Sequence, residues 1–397
     1  MNHSPVKVMC IVGARPNFMK AAPVIDALER RNWATVTLVH TGQHYSREMS
    51  DLFFDALGLP TPQVDLHVGS GPHGEQTGHI MIRLEPLLKQ QRPDLVIVFG
   101  DVNSTVGAAL CAAKMGIPVA HVEAGLRSFD RTMPEELNRV VTDHLSEFLF
   151  TTERSGRENL SREGLPEEKI YFVGNVMVDT LLKHVEQARH LQTRRTFGLS
   201  PQGYGLLTLH RPSNVDDVPT FKEIMTAINE LATGLPILFP CHVRTRERLT
   251  AMPELLPARG GRHGIVLLEP LGYLEFLSLM CEARLVLTDS GGIQEETTVL
   301  GIPCVTLRHN TERPVTIEQG TNMLAGTSQE RIVEAAHAVL RRQSPPRRPP
   351  DLWDGHAADR IVDVLERRFH ATSSMPERTD TVTTAYSTAW AAHAKFQ

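Results

Sequence analysis

The chain of 397 residues is predicted to be an α/β protein with two doubly wound units, each a parallel sheet packed between helices. Three observations support this fold class. Short strand patterns alternate with helical patterns in both halves of the chain. The strand segments are continuous apolar, β-branched runs, which is typical of buried parallel strands. The length is also sufficient for two domains with substantial cores.

The composition indicates a soluble enzyme. Hydrophobic residues make up 41% of the chain and charged residues 22%, as in ordinary globular proteins. A net charge of −5, with no basic run interleaved with aromatics, argues against a nucleic-acid partner. No apolar run is long enough for a membrane span, and no signal peptide is recognised. The five dispersed cysteines suggest free thiols in a reducing compartment, so we expect a cytoplasmic protein.

The first strand is predicted at residues 6–12, followed by a glycine turn and a helix over 17–31. This turn carries Arg15, and Lys20 lies one helical turn further on. Two cations beside a helix N-terminus, at the carboxyl end of a strand, suit a diphosphate. The competing interpretation is that both side chains are simply solvated.

Strands are next predicted at 35–40, 95–99 and 119–122, with helices at 74–90 and 105–115. Five histidines lie in or near this region: His40, His44, His67, His73 and His79. Their spacing lacks the helical pair or cysteine partner of a typical metal site, so no metal is expected.

Three carboxylates leave successive elements on the same edge of this first sheet: Asp101, Glu123 and Glu135. Singly, each has a structural explanation: Asp101 as a helix cap, and Glu135 in an i, i+4 ion pair with Arg139. Together they predict a cluster in which neighbouring carboxylates shift each other's pKa and supply an acid and a base at neutral pH.

In the second half, a helix over 176–191 is expected to lead into a second α/β unit. Its first strand, 204–209, ends at His210, a potential proton donor. A helix over 218–233 and strands at 236–239 and 265–268 follow. Tyr273 or Phe276 could stack on a base, although an aromatic on an amphipathic helix is usually part of the core.

The organising stretch of the second unit is a strand that ends at residue 288 and is followed by Ser290, Gly291 and Gly292. We expect these three residues to form a tight turn before a helix over 293–300. Free backbone N–H groups there would bind phosphate, and Glu295 or Glu296 could accept both ribose hydroxyls. The glycines alone are more typical of an ordinary βα turn, and the acidic pair that follows them favours a nucleotide site.

The remaining segments are a loop with Arg313 before a proline, which is a candidate diphosphate contact, a stiff linker at 345–350, and a helix over 355–367. No GxGxxG pattern follows the first strand, so a dinucleotide site of that type is not expected.

These motifs together resemble the non-hydrolysing UDP-N-acetylglucosamine 2-epimerases. The resemblance extends in collinear order to residue 314 and rests on eight segments: GARPNFMKAAP (13), TGQHY (41), GD (100), HVEAGLRS (121), PEELNR (134), LHRPSN (209), TDSGGIQEE (288) and TERP (311).

The resemblance implies a GT-B-like fold, with two Rossmann-like domains facing across a cleft. The expected domains are residues 1–175, joined by a C-terminal helix at about 355–370, and residues 176–350, with a tail at 371–397. It also implies a cytoplasmic homodimer that needs neither metal nor NAD. The implied reaction inverts C2 of a UDP-linked 2-acetamido sugar through elimination of UDP and its re-addition.

Residue by residue, the resemblance implies acid/base roles for Asp101, Glu123 and Glu135, oriented by Arg139, and assistance of the UDP leaving group by His210. It implies diphosphate or sugar contacts for a larger set: Arg15, Lys20, Ser290, Gly291, Gly292 and Arg313. Glu296 matches the ribose-binding carboxylate, and Phe276 lies where the family holds uracil.

The chain also departs from the family pattern. Gln43, Glu136 and His242 match an allosteric UDP-N-acetylglucosamine site, but the loop at 69–74 lacks the arginine that lines it in many bacterial relatives. This loop also resembles members that act on UDP-2,3-diacetamido-glucuronic acid. That substrate, a hydrolysing epimerase, a GT-B glycosyltransferase and a non-catalytic sensor are the alternatives to be distinguished.

Overall fold

A computed structural model describes residues 5–43, 58–241, 243–256, 264–341 and 348–373. The first sheet has seven parallel strands in the order β3-β2-β1-β4-β5-β6-β7. Their bounds are β1 Val6–Val12, β2 Ala34–His40, β3 Val64–Asp65, β4 Leu95–Phe99, β5 Val119–Ala124, β6 Phe148–Thr151 and β7 Ile170–Phe172. Strands β1, β4 and β5 are almost wholly buried, as expected for parallel strands covered on both faces.

Five α-helices connect or follow these strands within the described ranges: α1 Arg15–Arg31, α2 His73–Gln91, α3 Asn103–Lys114, α4 Pro134–Leu145 and α5 Arg154–Arg162. Helix α1 begins with Pro16 in its first turn, where a missing N–H is harmless, and ends at Asn32 in the left-handed conformation.

The second sheet has six parallel strands in the order β10-β9-β8-β11-β12-β13. They are β8 Gly205–Thr208, β9 Ile237–Pro240, β10 Ile265–Leu268, β11 Leu285–Thr288, β12 Cys304–Thr306 and β13 Asn322–Leu324. The helices of this half are α6 Val176–Leu191, α7 Pro212–Val215, α8 Val218–Ala232, α9 Val243–Ala251, α10 Tyr273–Cys281, α11 Gly291–Leu300, α12 Val315–Glu318 and α13 Gln329–Arg341.

Helix α6 joins the two halves. Its buried residues Met177 and Leu181 belong to an apolar core that continues from the first sheet into the second. The chain passes between the halves a second time before the last helix, α14 Ala357–Ser373. The two passages touch at Gly174, whose φ is +91° and where an added Cβ would lie 2.1 Å from the carbonyl oxygen of Leu352.

Helix α14 packs back on α1 of the first half. Arg30 contacts Asp359 at 3.1 Å and Arg31 contacts Asp363 at 2.5 Å. Its N-terminus is capped by Asp179 of α6, which accepts the backbone N–H groups of Ala357 and Ala358. The last helix therefore stabilises the first half although it is encoded after the second.

Most expected elements are present, and several limits differ. Strand β5 runs to Ala124, so Glu123 lies inside the strand and not after it. Helix α11 begins at Gly291, so the two glycines form its first turn. The short strands β3, β6, β7, β12 and β13 are additional elements for which no strand was expected.

Candidate active site

Several expected site residues lie near the points where the strand order reverses. In the first sheet this reversal is between β1 and β4, which end just before Gly13 and Gly100. In the second it is between β8 and β11, which end before His210 and Asp289. Crevices outside the carboxyl ends of strands at such points are the usual ligand sites of open α/β sheets.

The N-terminus of α11 is the anion-binding candidate. Ser290 is its N-cap residue, in extended conformation, and Gly291 and Gly292 follow as the first helical residues. An added Cβ on Gly291 would lie 2.4 Å from Nη1 of Arg313, whereas on Gly292 the nearest atom would be Cε of Met177 at 3.5 Å. Absence of a side chain at Gly291 therefore lets a buried guanidinium approach the helix terminus.

Arg313 is the centre of a buried charge network. Its Nε donates to Glu295 at 2.5 Å, Nη1 to Glu312 at 2.7 Å and Nη2 to Glu123 at 2.6 Å. Burial lowers the pKa of the guanidinium, but these three carboxylates outweigh it and hold the pKa well above its usual value. Because Glu123 belongs to the first sheet, this network joins the two halves of the molecule.

Glu123 is held between two cations. Its second carboxylate oxygen accepts a hydrogen bond from Lys20 of α1. Glu123 has a φ of +79°, at a register shift between β5 and β6. A positive φ at a non-glycine residue costs on the order of 1–3 kcal/mol, and such strain is often found at functional sites. The strand is thus bent where it presents a carboxylate to the cleft.

Asp101 lies beside this pair and is bound by Arg139 of α4, whose Nη2 donates to Asp101 Oδ2 at 2.8 Å. Burial raises the pKa of Asp101, but the charges of Arg139, Lys20 and Arg313 outweigh it and lower the pKa overall. A quarter of the side chain is exposed. Asp101 is therefore an ionised carboxylate that a ligand can reach.

Glu135 does not form the predicted ion pair with Arg139. The guanidinium of Arg139 contacts Asp101 and Glu136 instead. Glu136 also accepts the backbone N–H groups of Ser128 and Phe129, both at 2.9 Å. Helix α4 turns Glu136 and Arg139 inward, while Glu135 is half-buried and has no hydrogen bond or ion pair among the described residues.

His210 has a partner that sequence reasoning missed. Its Nδ1 lies 2.8 Å from Oδ1 of Asp289, and half of the histidine side chain is exposed. Burial raises the pKa of Asp289, but His210 and the backbone N–H groups of residues 210 and 211 outweigh it and lower the pKa. Nδ1–H therefore donates to the carboxylate, which leaves Nε2 available. The only sequence signal was that Asp289 directly precedes Ser290 in the glycine turn.

The aromatic and acidic candidates on α10 and α11 are buried. Tyr273 donates its hydroxyl to Oε1 of Glu296 at 3.1 Å. Phe276 is 92% buried and belongs to the apolar core. Its role at the base stays a prediction.

The remaining expected residues are only partly described. Gln43 is buried and accepts from the backbone N–H of Ser104 at 3.0 Å and its hydroxyl at 2.6 Å. Arg15 is the first residue of α1, but its side chain lies outside the described part, as do His44 and His242 entirely. His40 and His67 both contact Asp65, at 3.4 and 3.2 Å.

Chemically, the cleft combines carboxylates suited to proton transfer with cations and a helix terminus suited to a diphosphate. In the described ranges no group of three or more His, Cys, Asp or Glu side chains is arranged to hold a metal ion. Nor does any helix in those ranges have the length and apolarity needed to cross a bilayer.

Comparison with known proteins identifies the family. The family model described as UDP-N-acetylglucosamine 2-epimerase matches residues 26–366. The UDP-N-acetylglucosamine 2-epimerase of Methanocaldococcus jannaschii is 45% identical over 367 residues, covering 91% of this chain and 99% of that protein. The UDP-2,3-diacetamido-2,3-dideoxy-D-glucuronate 2-epimerase of Pseudomonas aeruginosa is 40% identical, covering 91% of this chain and all of that protein.

A solved structure supports the same assignment. The Methanocaldococcus jannaschii UDP-GlcNAc 2-epimerase, crystallised with UDP-GlcNAc and UDP, superimposes with a TM-score of 0.84 at 44% identity, covering 91% of this chain and all of that one. The predicted fold class, two parallel-sheet α/β units of GT-B-like architecture, is confirmed. With its fold, its cleft and its full-length relatives in agreement, this chain belongs to the UDP-N-acetylglucosamine 2-epimerase family.

Proposed function

We propose that the protein interconverts UDP-N-acetylglucosamine and UDP-N-acetylmannosamine by inverting C2 of the sugar. The observation that supports this most directly is the network of Glu123, Lys20 and Arg313. It brings an acid/base candidate of the first sheet into contact with the cation beside the anion-binding terminus of α11. The groups proposed to act on the sugar are therefore in contact with those proposed to bind UDP.

In the proposed mechanism, a carboxylate removes the proton from C2 while the C1–O bond to UDP breaks, giving a 2-acetamidoglucal and UDP. UDP then adds back to C1, and C2 receives a proton on the opposite face. Asp101, Glu123 and Glu135 are the proposed acids and bases, and Arg139 orients the first of them. His210, held by Asp289, assists the departing UDP oxygen.

UDP is proposed to lie on the second half of the molecule. The diphosphate would contact the N-terminus of α11 at Ser290, Gly291 and Gly292, together with three cations: Arg15, Lys20 and Arg313. Glu296 would accept the ribose hydroxyls, and uracil would lie at Phe276.

The test is to incubate the protein with UDP-N-acetylglucosamine in D2O and follow C2 deuteration and the manno product by NMR. We expect both signals. Asp101→Asn and Glu123→Gln should each lose exchange while keeping UDP affinity. Wild-type turnover in either variant would remove that residue from the mechanism.

The second candidate substrate is UDP-2,3-diacetamido-glucuronic acid, favoured by the 40% identity to the Pseudomonas aeruginosa enzyme. Exchange with this substrate, and none with UDP-N-acetylglucosamine, would replace the first proposal. Stoichiometric release of free UDP and free amino sugar would instead indicate a hydrolysing epimerase.

We further propose a cytoplasmic homodimer without metal or NAD, with domain limits at 1–175 and 176–350 and α14 joined to the first domain. The packing of α14 on α1 supports this last assignment. Light scattering tests the dimer, and activity after exhaustive chelation tests the metal requirement. Gln43, Glu136 and His242 are proposed for an allosteric site, which sigmoidal dependence of the rate on substrate would support.

A further inference from the structure

His121 contacts the turn that carries the candidate carboxylate Asp101 and has no part in the proposed chemistry. It is on β5, two residues before Glu123, and its ring is fully buried. Nδ1 lies 2.6 Å from Oδ1 of Asp143, and Nε2 lies 2.8 Å from the carbonyl oxygen of Gly100, the residue before Asp101. One ring thus bridges α4 and the turn that carries Asp101.

Both partners of the ring are hydrogen-bond acceptors. A carbonyl oxygen cannot donate. Burial raises the pKa of Asp143, but His121 and Arg127 outweigh it and lower the pKa, so Asp143 is a carboxylate. A neutral imidazole has one N–H and would satisfy only one of these contacts, leaving two lone pairs facing each other in the interior. A ring with two N–H groups satisfies both.

The surroundings can balance such a charge. Asp143 also accepts from Nη1 of Arg127 at 2.7 Å, and Arg127 binds Glu163 at 2.8 and 2.7 Å. With a doubly protonated His121 this cluster has two cations and two anions. An added Cβ on Gly100 would meet Nζ of Lys20 at 2.7 Å and Oε2 of Glu123 at 3.1 Å, so the turn also adjoins the proposed chemistry.

We propose that His121 is a positioning residue that, as a doubly protonated ring, holds the Gly100 carbonyl and so fixes the turn that presents Asp101. Gly100 has a φ of +62°, and the hydrogen bond from Nε2 maintains the carbonyl orientation of this turn. The kinetic part of this inference rests on the proposed epimerase function; the protonation and contacts of the ring do not.

The first test needs no substrate. In the full-length protein labelled with 15N-histidine, we expect the His121 ring at pH 7.5 to show two N–H protons and two protonated nitrogen resonances. His121→Gln assigns them by their disappearance. If that variant does not fold, Asp143→Asn replaces it, since its amide can donate to Nδ1 and should abolish the second N–H signal. A single N–H in the wild-type protein would overturn the proposal.

The second test is kinetic. His121→Gln should lower kcat for C2 exchange on the order of 100-fold, the size of effect seen when a reacting group is displaced by about 1 Å. The dissociation constant for UDP should stay unchanged. Loss of a nearby positive charge should also move the acid limb of the kcat profile to higher pH, because carboxylates then ionise less readily.

Two controls separate positioning from packing. His40→Gln removes another buried imidazole of the same sheet and should leave kcat and its pH profile unchanged. His121→Leu, which cannot donate to Gly100, should be slower than His121→Gln. A folded His121→Gln protein with wild-type kcat and pH profile would reject the positioning role even if the NMR result stands.

Discussion

At the residue scale, the cleft consists of charged side chains that share partners. Arg313 serves three carboxylates, and Glu123 is held by both Lys20 and Arg313. Removing one member of such a buried set leaves uncompensated charge, which typically costs about 3–5 kcal/mol. A substrate diphosphate that enters this set must therefore compete with carboxylates already bound to the same cations.

The contact between His210 and Asp289 leads to the first prediction. Asp289→Asn keeps an oxygen for the backbone N–H groups but faces Nδ1 with an amide donor, so His210 is held in the wrong tautomer. Exchange should slow by about 100- to 10,000-fold, as in other sites where a carboxylate orients a catalytic histidine. UDP affinity, measured by calorimetry, should be nearly unchanged.

A double mutant provides the control for this prediction. Residues that act as a unit are not additive, so Asp289→Asn should cost little more in a His210→Ala background. Full additivity of the two losses would contradict a shared role.

Glu153 leads to a prediction about pH. It is buried at the junction of the two halves, and one of its oxygens has no hydrogen-bond partner among the described residues. Burial raises the pKa of Glu153 to about 7, opposed by Ser155 and Arg313 and aided by Glu295. The folded protein therefore binds a proton that the unfolded chain, with an ordinary glutamate pKa, releases.

The sign of the effect follows from this raised pKa. The stabilising contribution of Glu153 is complete below the unfolded pKa of about 4.5 and is lost as pH rises through about 7. The free energy of unfolding lost in this way is at most about 3 kcal/mol. Relative to wild type, Glu153→Gln should become more stable between pH 5 and pH 8.5 in urea unfolding. The exposed Glu158→Gln is the control, and a pH-independent difference would refute the assignment.

At the element scale, the longer helices and strands, and the residues at the strand ends, could be predicted from the sequence. The first strand was predicted at its observed limits, because a run rich in β-branched residues ends in a glycine turn. The two residues of β3 are too few for a periodic signal, whereas β6 has four residues, as many as the predicted strands β8 to β11, and was not predicted. Contacts between side chains were harder to predict. Asp289 and His210 are 79 residues apart in the chain and are in contact only because β8 and β11 pair.

The N-terminus of α11 offers a matched pair of substitutions. Gly291→Ala should destabilise the ligand-free protein, because its Cβ would displace the guanidinium of Arg313 from its carboxylates. At Gly292 the nearest atom to an added Cβ is 3.5 Å away, so Gly292→Ala should gain up to about 1 kcal/mol from helix propensity. Thermal unfolding without UDP measures both, and equal stability of the two variants would argue against the close approach of Arg313.

At the scale of the whole molecule, the two halves are joined by the charge network in the cleft and by the two chain passages on α6 and before α14. The family resemblance predicted the two-unit architecture because its motifs mark the strand ends of both sheets. Contacts between the passages, such as Gly174 against Leu352, could not be predicted, since they depend on how the sheets are placed in space.

Trp353 allows the second passage to be tested. Its side chain is 1% exposed, and Nε1 donates to the carbonyl oxygen of Thr152, at the end of β6, at 2.9 Å. Trp353→Phe keeps an aromatic ring but leaves this buried carbonyl unpaired, which should cost about 1–3 kcal/mol beyond the loss of volume. Urea unfolding followed by circular dichroism gives the free-energy change.

Trp33 is the matched control, because it is also buried but its Nε1 has no acceptor among the described residues. Trp33→Phe therefore removes the same atoms without breaking a hydrogen bond, and its ring can still stack on Phe369, now 6.0 Å away. We expect Trp353→Phe to be the less stable variant, since only there does the substitution weaken the attachment of the returning chain to the first sheet. If the two variants lose equal stability, the hydrogen bond to Thr152 does not attach the returning chain to the first sheet, and the packing of α14 on α1 provides that attachment instead.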